Sequence, residues 1–156
     1  MKIRTRRSNH RKSRSQHNRV IDFMFYNYRN IKRAIEEERQ DAGDHQFCTV
    51  PGSSGKISKP TEAMALNNLS ELRAVALDDG KVVTKPESWL KVIDGVYSAV
   101  GEAEKDIIRR RYWKKEPYEI SIVDLNMSQA GYYFALDSVR AMALAAACQM
   151  GLMKVI

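Results

Sequence analysis

Cysteine is scarce. Cys48 and Cys148 are the two in 156 residues, too few for a disulfide framework. Cys148 sits in an alanine-rich helical run and is expected to be a buried small hydrophobe. His45 and Cys48 are three apart, but a zinc site needs about four ligands. No other histidine or cysteine is near in sequence, so neither metal nor cofactor is expected. No apolar run approaches ~18 residues, which leaves nothing to span a membrane. The basic N-terminus lacks the apolar core of a secretory signal, so a cytoplasmic location is expected. Strand alternation and internal repeats are lacking as well. Two absences concern charge. No acid precedes Asp22, and no lysine or arginine occurs from Glu116 to Leu136.

The charge that is present is unevenly placed. Residues 1–33 hold eleven Lys/Arg against one acid, a net of +10, and residues 34–156 hold fifteen against eighteen, a net of −3. A second basic cluster is "RRRYWKK", Arg109 to Lys115. Residues 1–19 have almost no apolar groups and read as a basic arm, disordered in isolation. Arg4, Arg6, Arg7, Arg11, Lys12, Arg14 and Arg19 are its candidate phosphate contacts.

Hydrophobic spacing then predicts an all-α chain, a helical bundle. Ile21, Met24 (or Phe25), Tyr28, Ile31 and Ile35 recur at three and four, giving an N-terminal helix over 20–42. Residues 43–59 read as a linker loop rich in Gly, Ser and Pro. A helical domain follows over 60–156. Its first helix carries Met64, Leu69, Leu72 and Ala76 and ends at Asp78-Asp79-Gly80. The next begins at Pro86, with Trp89, Ile93, Val96 and Val100 inward and Gly101 closing it. "EAEKDIIRRRYW" places its acids first and its bases last, matching the helix dipole, with Ile107, Ile108 and Tyr112 inward. Pro117 opens a short helix whose inner contacts are Tyr118, Ile122 and Leu125. Asn126 supplies a turn and tolerates a left-handed conformation. Ser128 caps the last helix, which runs to about Met150 with Gly151 as its stop. Tyr132, Leu136, Val139, Ala143 and Ala146 form its stripe.

The two helices joined at Leu125-Asn126-Met127, over about 117–150, fit the helix-turn-helix plan, in which the second helix enters the major groove. Ser128, Gln129, Tyr132 and Tyr133 fall at its start, and Arg140 lies about three turns in. Glutamine can pair bidentately with adenine, and alanine or tyrosine can touch a thymine methyl. Backbone N–H groups at the helix start, with Ser128, can hold one phosphate. The competing reading is an ordinary hairpin inside a bundle. Arg109, Arg110, Lys114 and Lys115, on the preceding helix, supply the phosphate contacts that the reader itself lacks.

From Tyr26 to Met150 the chain resembles the RinA family of phage transcriptional regulators, and more loosely the ArpU family. The resemblance rests on four segments: "YNYRNIKRAIEEERQ", "VPGSSGKISKPTEAMAL", "EKDIIRRRYW" and "LNMSQAGYYFALDSV". The last two together also resemble the −35-reading part of a sigma factor. Related readers carry a base after the tyrosine pair, whereas Phe134 to Asp137 carries none. The resemblance implies a sequence-specific activator of phage or prophage late genes. It would bind double-stranded DNA, with host RNA polymerase and a second copy of the chain as further candidate partners. Two other classes stay open: a packaging protein like a small terminase subunit, and an RNA-binding antiterminator. Catalysis is not expected. "EEE" at Glu36–Glu38 has no histidine partner at helical spacing, and "PGSSGK" lacks Walker spacing and a preceding strand.

Overall fold

The computed structural model describes residues 6–44 and 70–154, with side chains described over 16–41 and 70–154. The elements are α1 (Arg6–Tyr26), α2 (Tyr28–Asp44), β1 (Ala74–Ala76), β2 (Val82–Thr84), α3 (Pro86–Ala99), α4 (Glu102–Ile108), a π-helical turn (Arg109–Trp113), α5 (Tyr118–Asp124) and α6 (Gln129–Gln149). Among the described residues the fold is all-α apart from one small hairpin. The linker beyond Asp44, the helix start at Pro60, and His45 and Cys48 lie outside the described residues.

The first helix corrects the expectation of an unstructured arm. It is helical from Arg6, not from Val20. Once a helix has nucleated on packed residues such as Ile21 and Phe25, each added residue gains a hydrogen bond. Arginine, lysine and glutamine lose little by joining it. The single helix expected over 20–42 is instead two. The Asn27 side chain donates to the Phe23 carbonyl at 2.9 Å, alongside the Asn27 backbone N–H at 3.0 Å. Such local bonding by asparagine competes with helix continuation.

The chain divides into two compact units, one from Asn30 to Glu87 and the other from the residues before and after it. In the Asn30–Glu87 unit, Ile31, Ala34, Ile35, Val75, Leu77 and Val83 are buried. The helix expected to reach Ala76 is corrected here to a strand. Ala74–Ala76 pairs antiparallel with Val82–Thr84, and Val75 lies opposite Val83. Valines favour a pleated, half-buried surface. Asp78-Asp79-Gly80 is the hairpin tip rather than a helix end. Gly80 N–H donates to Leu77 O at 2.9 Å and Leu77 N–H to Lys81 O at 2.8 Å. Gly80 has φ of 77°, a left-handed value that glycine adopts without strain. Arg33 pairs with Asp78, and Arg39 with Glu87.

In the other unit, α1 packs against α6 and the π turn, and α4 packs against α6. The core holds Ile21 and Phe25 of α1, Trp89, Ile93 and Val96 of α3, and Ile107, Ile108 and Tyr112. From α6 it takes Tyr132, Ala135, Leu136, Val139, Ala143 and Ala147. Ala147 thus continues the stripe where Ala146 was expected. Cys148, expected buried, is a half-buried free thiol. Gly101 does not close α3 but opens α4 as its N-cap.

One polar cluster crosses this core. The Asp22 carboxylate of α1 accepts from Arg140 Nε at 2.9 Å and Nη2 at 2.6 Å. The Tyr112 hydroxyl donates to the same carboxylate at 2.6 Å. Burial, then the Asp22 charge and hydrogen bond, push the Tyr112 hydroxyl well above its ordinary pKa. Burial disfavours the Arg140 charge, but the Asp22 hydrogen bond, the Tyr112 and Asp22 charges and the Asp137 hydrogen bond together outweigh it and raise the pKa. Removing the carboxylate leaves a cation and a hydroxyl together in a largely desolvated site. Asp22→Ala should therefore cost about 3 kcal/mol of stability in urea denaturation. A loss below about 1 kcal/mol would mean that the cluster does not hold α1 to α6.

Candidate nucleic-acid interface

The sequence "EPYEISIVDLNMSQAGYYF" folds as α5, a three-residue turn, and the start of α6 capped by Ser128. Pro117 precedes α5 with φ −59° and ψ 145°. Its fixed ring angle suits a helix entry, and it holds the residue before it out of the helical region. Asn126 closes α5 at φ 50°, the left-handed turn the sequence predicts. Ser128 is extended and its hydroxyl accepts from Gly131 N–H at 3.0 Å. The hydroxyl thus serves as the helix cap.

Aromatic contacts bring the two helix starts together. Tyr118 of α5 lies 5.6 Å from Tyr133 and 6.3 Å from Tyr132, centroid to centroid. Tyr132 and Tyr133 meet edge to face at 5.5 Å. They divide the helix surface between them. Tyr132 is fully buried, Tyr133 is 39% exposed and Phe134 is 80% exposed. Gln129, Ala130, Asp137 and Ser138 also face solvent. The outer face of α6 is thus open over three turns and carries no base. On α5, Ile120 and Val123 are exposed too.

Several predicted contact residues are committed elsewhere. Tyr132, expected at the reader surface, is corrected to a core residue, because its position continues the buried stripe to Leu136. Arg140, expected to reach DNA, is held by Asp22 and by Asp137 at 3.2 Å. Arg110, expected on the phosphate side, bridges Glu116 at 2.8 Å and Asp124 at 2.6 Å. It ties the π turn to the far end of α5. Arg109 pairs with Asp106 at 2.9 Å and donates to the Tyr97 hydroxyl at 2.8 Å. Sequence spacing hid these pairings, since Asp22 and Arg140 are 118 residues apart.

The remaining basic candidates differ. Lys114 and Lys115 are exposed and make no ion pair among the described residues. They leave the π turn, where Lys114 N–H donates to Arg109 O at 2.9 Å. Lys115 has φ of 56°, so the chain swings away sharply before Pro117. Arg19 is exposed on α1. Arg6, Arg7, Arg11, Lys12 and Arg14 lie on α1, but their side chains are outside the described residues, as is Arg4 altogether. Phe134 was not singled out from sequence. Its signal was available, since the buried stripe Tyr132–Leu136–Val139 forces residue 134 outward.

Among the described residues, no group of three His, Cys, Asp or Glu is placed to hold a metal ion. No helix there is long and apolar enough to cross a membrane.

Two outcomes follow for this motif. Ser128→Ala should lower stability by about 1 kcal/mol in thermal or urea melts, and an unchanged melt would deny the cap. The hydrogen bond from Arg110 holds the Glu116 carboxyl below its usual range. That stabilisation is present above the ordinary glutamate pKa of about 4.3 and is lost as pH falls through the lower folded value. Wild type should therefore lose its advantage over Glu116→Gln on acidification through this window. Parallel pH profiles would contradict the coupling.

Comparison of the chain with protein-family models, curated proteins and solved structures finds no match.

Proposed function

We propose that this chain is a sequence-specific double-stranded DNA-binding protein, with α5 and α6 as its helix-turn-helix. The observation that carries the reading is the capped start of α6. There Gln129, Ala130, Tyr133 and Phe134 face outward together, at the positions from which a reader helix touches base edges. Lys114 and Lys115 stand exposed just before α5, where phosphate contacts would orient the module. The basic residues of α1 would add sequence-independent affinity. The resemblance of "EKDIIRRRYW" and "LNMSQAGYYFALDSV" to phage late-gene regulators narrows the role to an activator of late phage or prophage transcription. In that role host RNA polymerase is the second partner.

Footprinting on DNA upstream of the packaging and structural operon of the source phage or prophage tests this. A protected site of one to two helical turns is expected. Replacing Lys114 and Lys115 by alanine should weaken binding to all sequences. It should also reduce the slope of log K against log salt by about 2. Absence of protection at low salt, or preference for an RNA hairpin over duplex, would overturn the reading.

A further inference from the structure

We infer that the α6 face reads A·T base pairs through their thymine methyls, with Phe134 as the methyl-contacting residue and Gln129 as the adenine reader. This rests on the DNA-binding reading above and specifies its substrate.

This face lacks the groups that guanine and cytosine call for. Guanine presents two acceptors in the major groove, and its usual partner is a bidentate arginine or lysine. No such residue occurs from Glu116 to Val139. The first base beyond, Arg140, is clamped on Asp22 through two nitrogens at 2.9 Å and 2.6 Å. Cytosine presents an amino donor and calls for a free carboxylate. The carboxylate on this face, Asp137, already accepts from Arg140 at 3.2 Å. Both signatures of a G·C pair are therefore poorly matched.

What the face does offer is one amide and several apolar groups. The Gln129 side chain has a donor and an acceptor on one plane, which fits the adenine N6 and N7 edge. Five residues on, Phe134 holds its ring 80% exposed beside the 39%-exposed Tyr133. An aromatic so exposed gains from being covered. The thymine methyl is the apolar group that the major groove presents. Along the helix axis Gln129 and Phe134 are about 7.5 Å apart, close to two base steps of about 3.4 Å, and Ala130 and Tyr133 fill the exposed surface between them. Charge is complementary at the edge of this face. Tyr118 touches Tyr133 at 5.6 Å, and Lys115 precedes Tyr118 by three residues, a reach of at most about 11 Å.

The test uses the full chain. Binding sites are first enriched from a random duplex pool at low salt. Each thymine of the enriched site is then replaced singly by deoxyuridine, which removes the methyl and leaves pairing intact. Affinities are read by fluorescence anisotropy for wild type and Phe134→Ala. An A·T-rich core is expected, in which one or two thymines each lose about fourfold in affinity on demethylation for wild type. Phe134→Ala should bind several-fold more weakly and lose that sensitivity. Its thermal melt should stay unchanged, because the ring touches little of the protein. A G·C core, indifference to every demethylation, or a variant that keeps the full sensitivity would overturn this inference and leave the DNA-binding reading standing. Failure to enrich any sequence would overturn both.

Discussion

The carboxylate of Asp22 is where three parts of one unit meet. α1 supplies it, the π turn gives it the Tyr112 hydroxyl, and α6 gives it the Nε and Nη2 donors of the Arg140 guanidinium. Around it the contacts are apolar and not directional: Phe25 stacks on Tyr112 at 5.0 Å, and Leu136 and Val139 are fully buried. Apolar burial supplies most of the attraction. It does not by itself fix how far α6 is rotated about its axis. A bidentate arginine does, because its planar fork fits a carboxylate in few orientations. That rotation decides which residues of α6 point outward. With Arg140 turned to Asp22, Tyr132 and Leu136 are carried inward, while Gln129, Ala130, Tyr133 and Phe134 are carried to the open side.

The same tie explains the charge pattern. Arginines near the helix-turn-helix are spent on acids of the protein itself: Arg140 on Asp22 and Asp137, and Arg110 on Glu116 and Asp124. These pairs hold the elements at fixed angles and cancel acids that would repel a polyanion. Lys114, Lys115 and Arg19 are among the cations left exposed. Under the proposed DNA-binding function, such a face would discriminate by shape and apolar contact, with affinity supplied from beside it. The π turn makes the division possible. Its wider winding sends Tyr112 to the core and Arg110 back to α5, and it releases the two lysines at a left-handed Lys115.

Local signals carried much of this into the sequence. The Ser128 cap, the left-handed Asn126, the Gly151 stop and the buried stripe through Tyr132, Leu136 and Val139 each depend on residues within a few positions. So do the inward Trp89, Ile93 and Val96 of α3. What spacing could not reveal was long-range or context-bound. The destiny of Arg140 depends on Asp22, far away in the chain. The short strands hold three residues each, too few for an alternation to stand out, and Leu72 and Ala76 also fit a helical stripe. The helical start of α1 reflects propagation from a packed end, which composition alone does not register. For the candidate interface, sequence pointed to α6 but included Tyr132, whose side of the helix is set by the core.

The central claim is that an α6 face without lysine or arginine meets the bases while cations beside it meet the phosphates. Backbone-amide NMR of the chain titrated with its enriched duplex tests this most directly. The account predicts large shifts at Gln129, Ala130, Tyr133 and Phe134 together with Lys114 and Lys115, and small ones at Ala143 and Ala147. Shifts confined to α1, with the start of α6 unmoved at saturation, would contradict it.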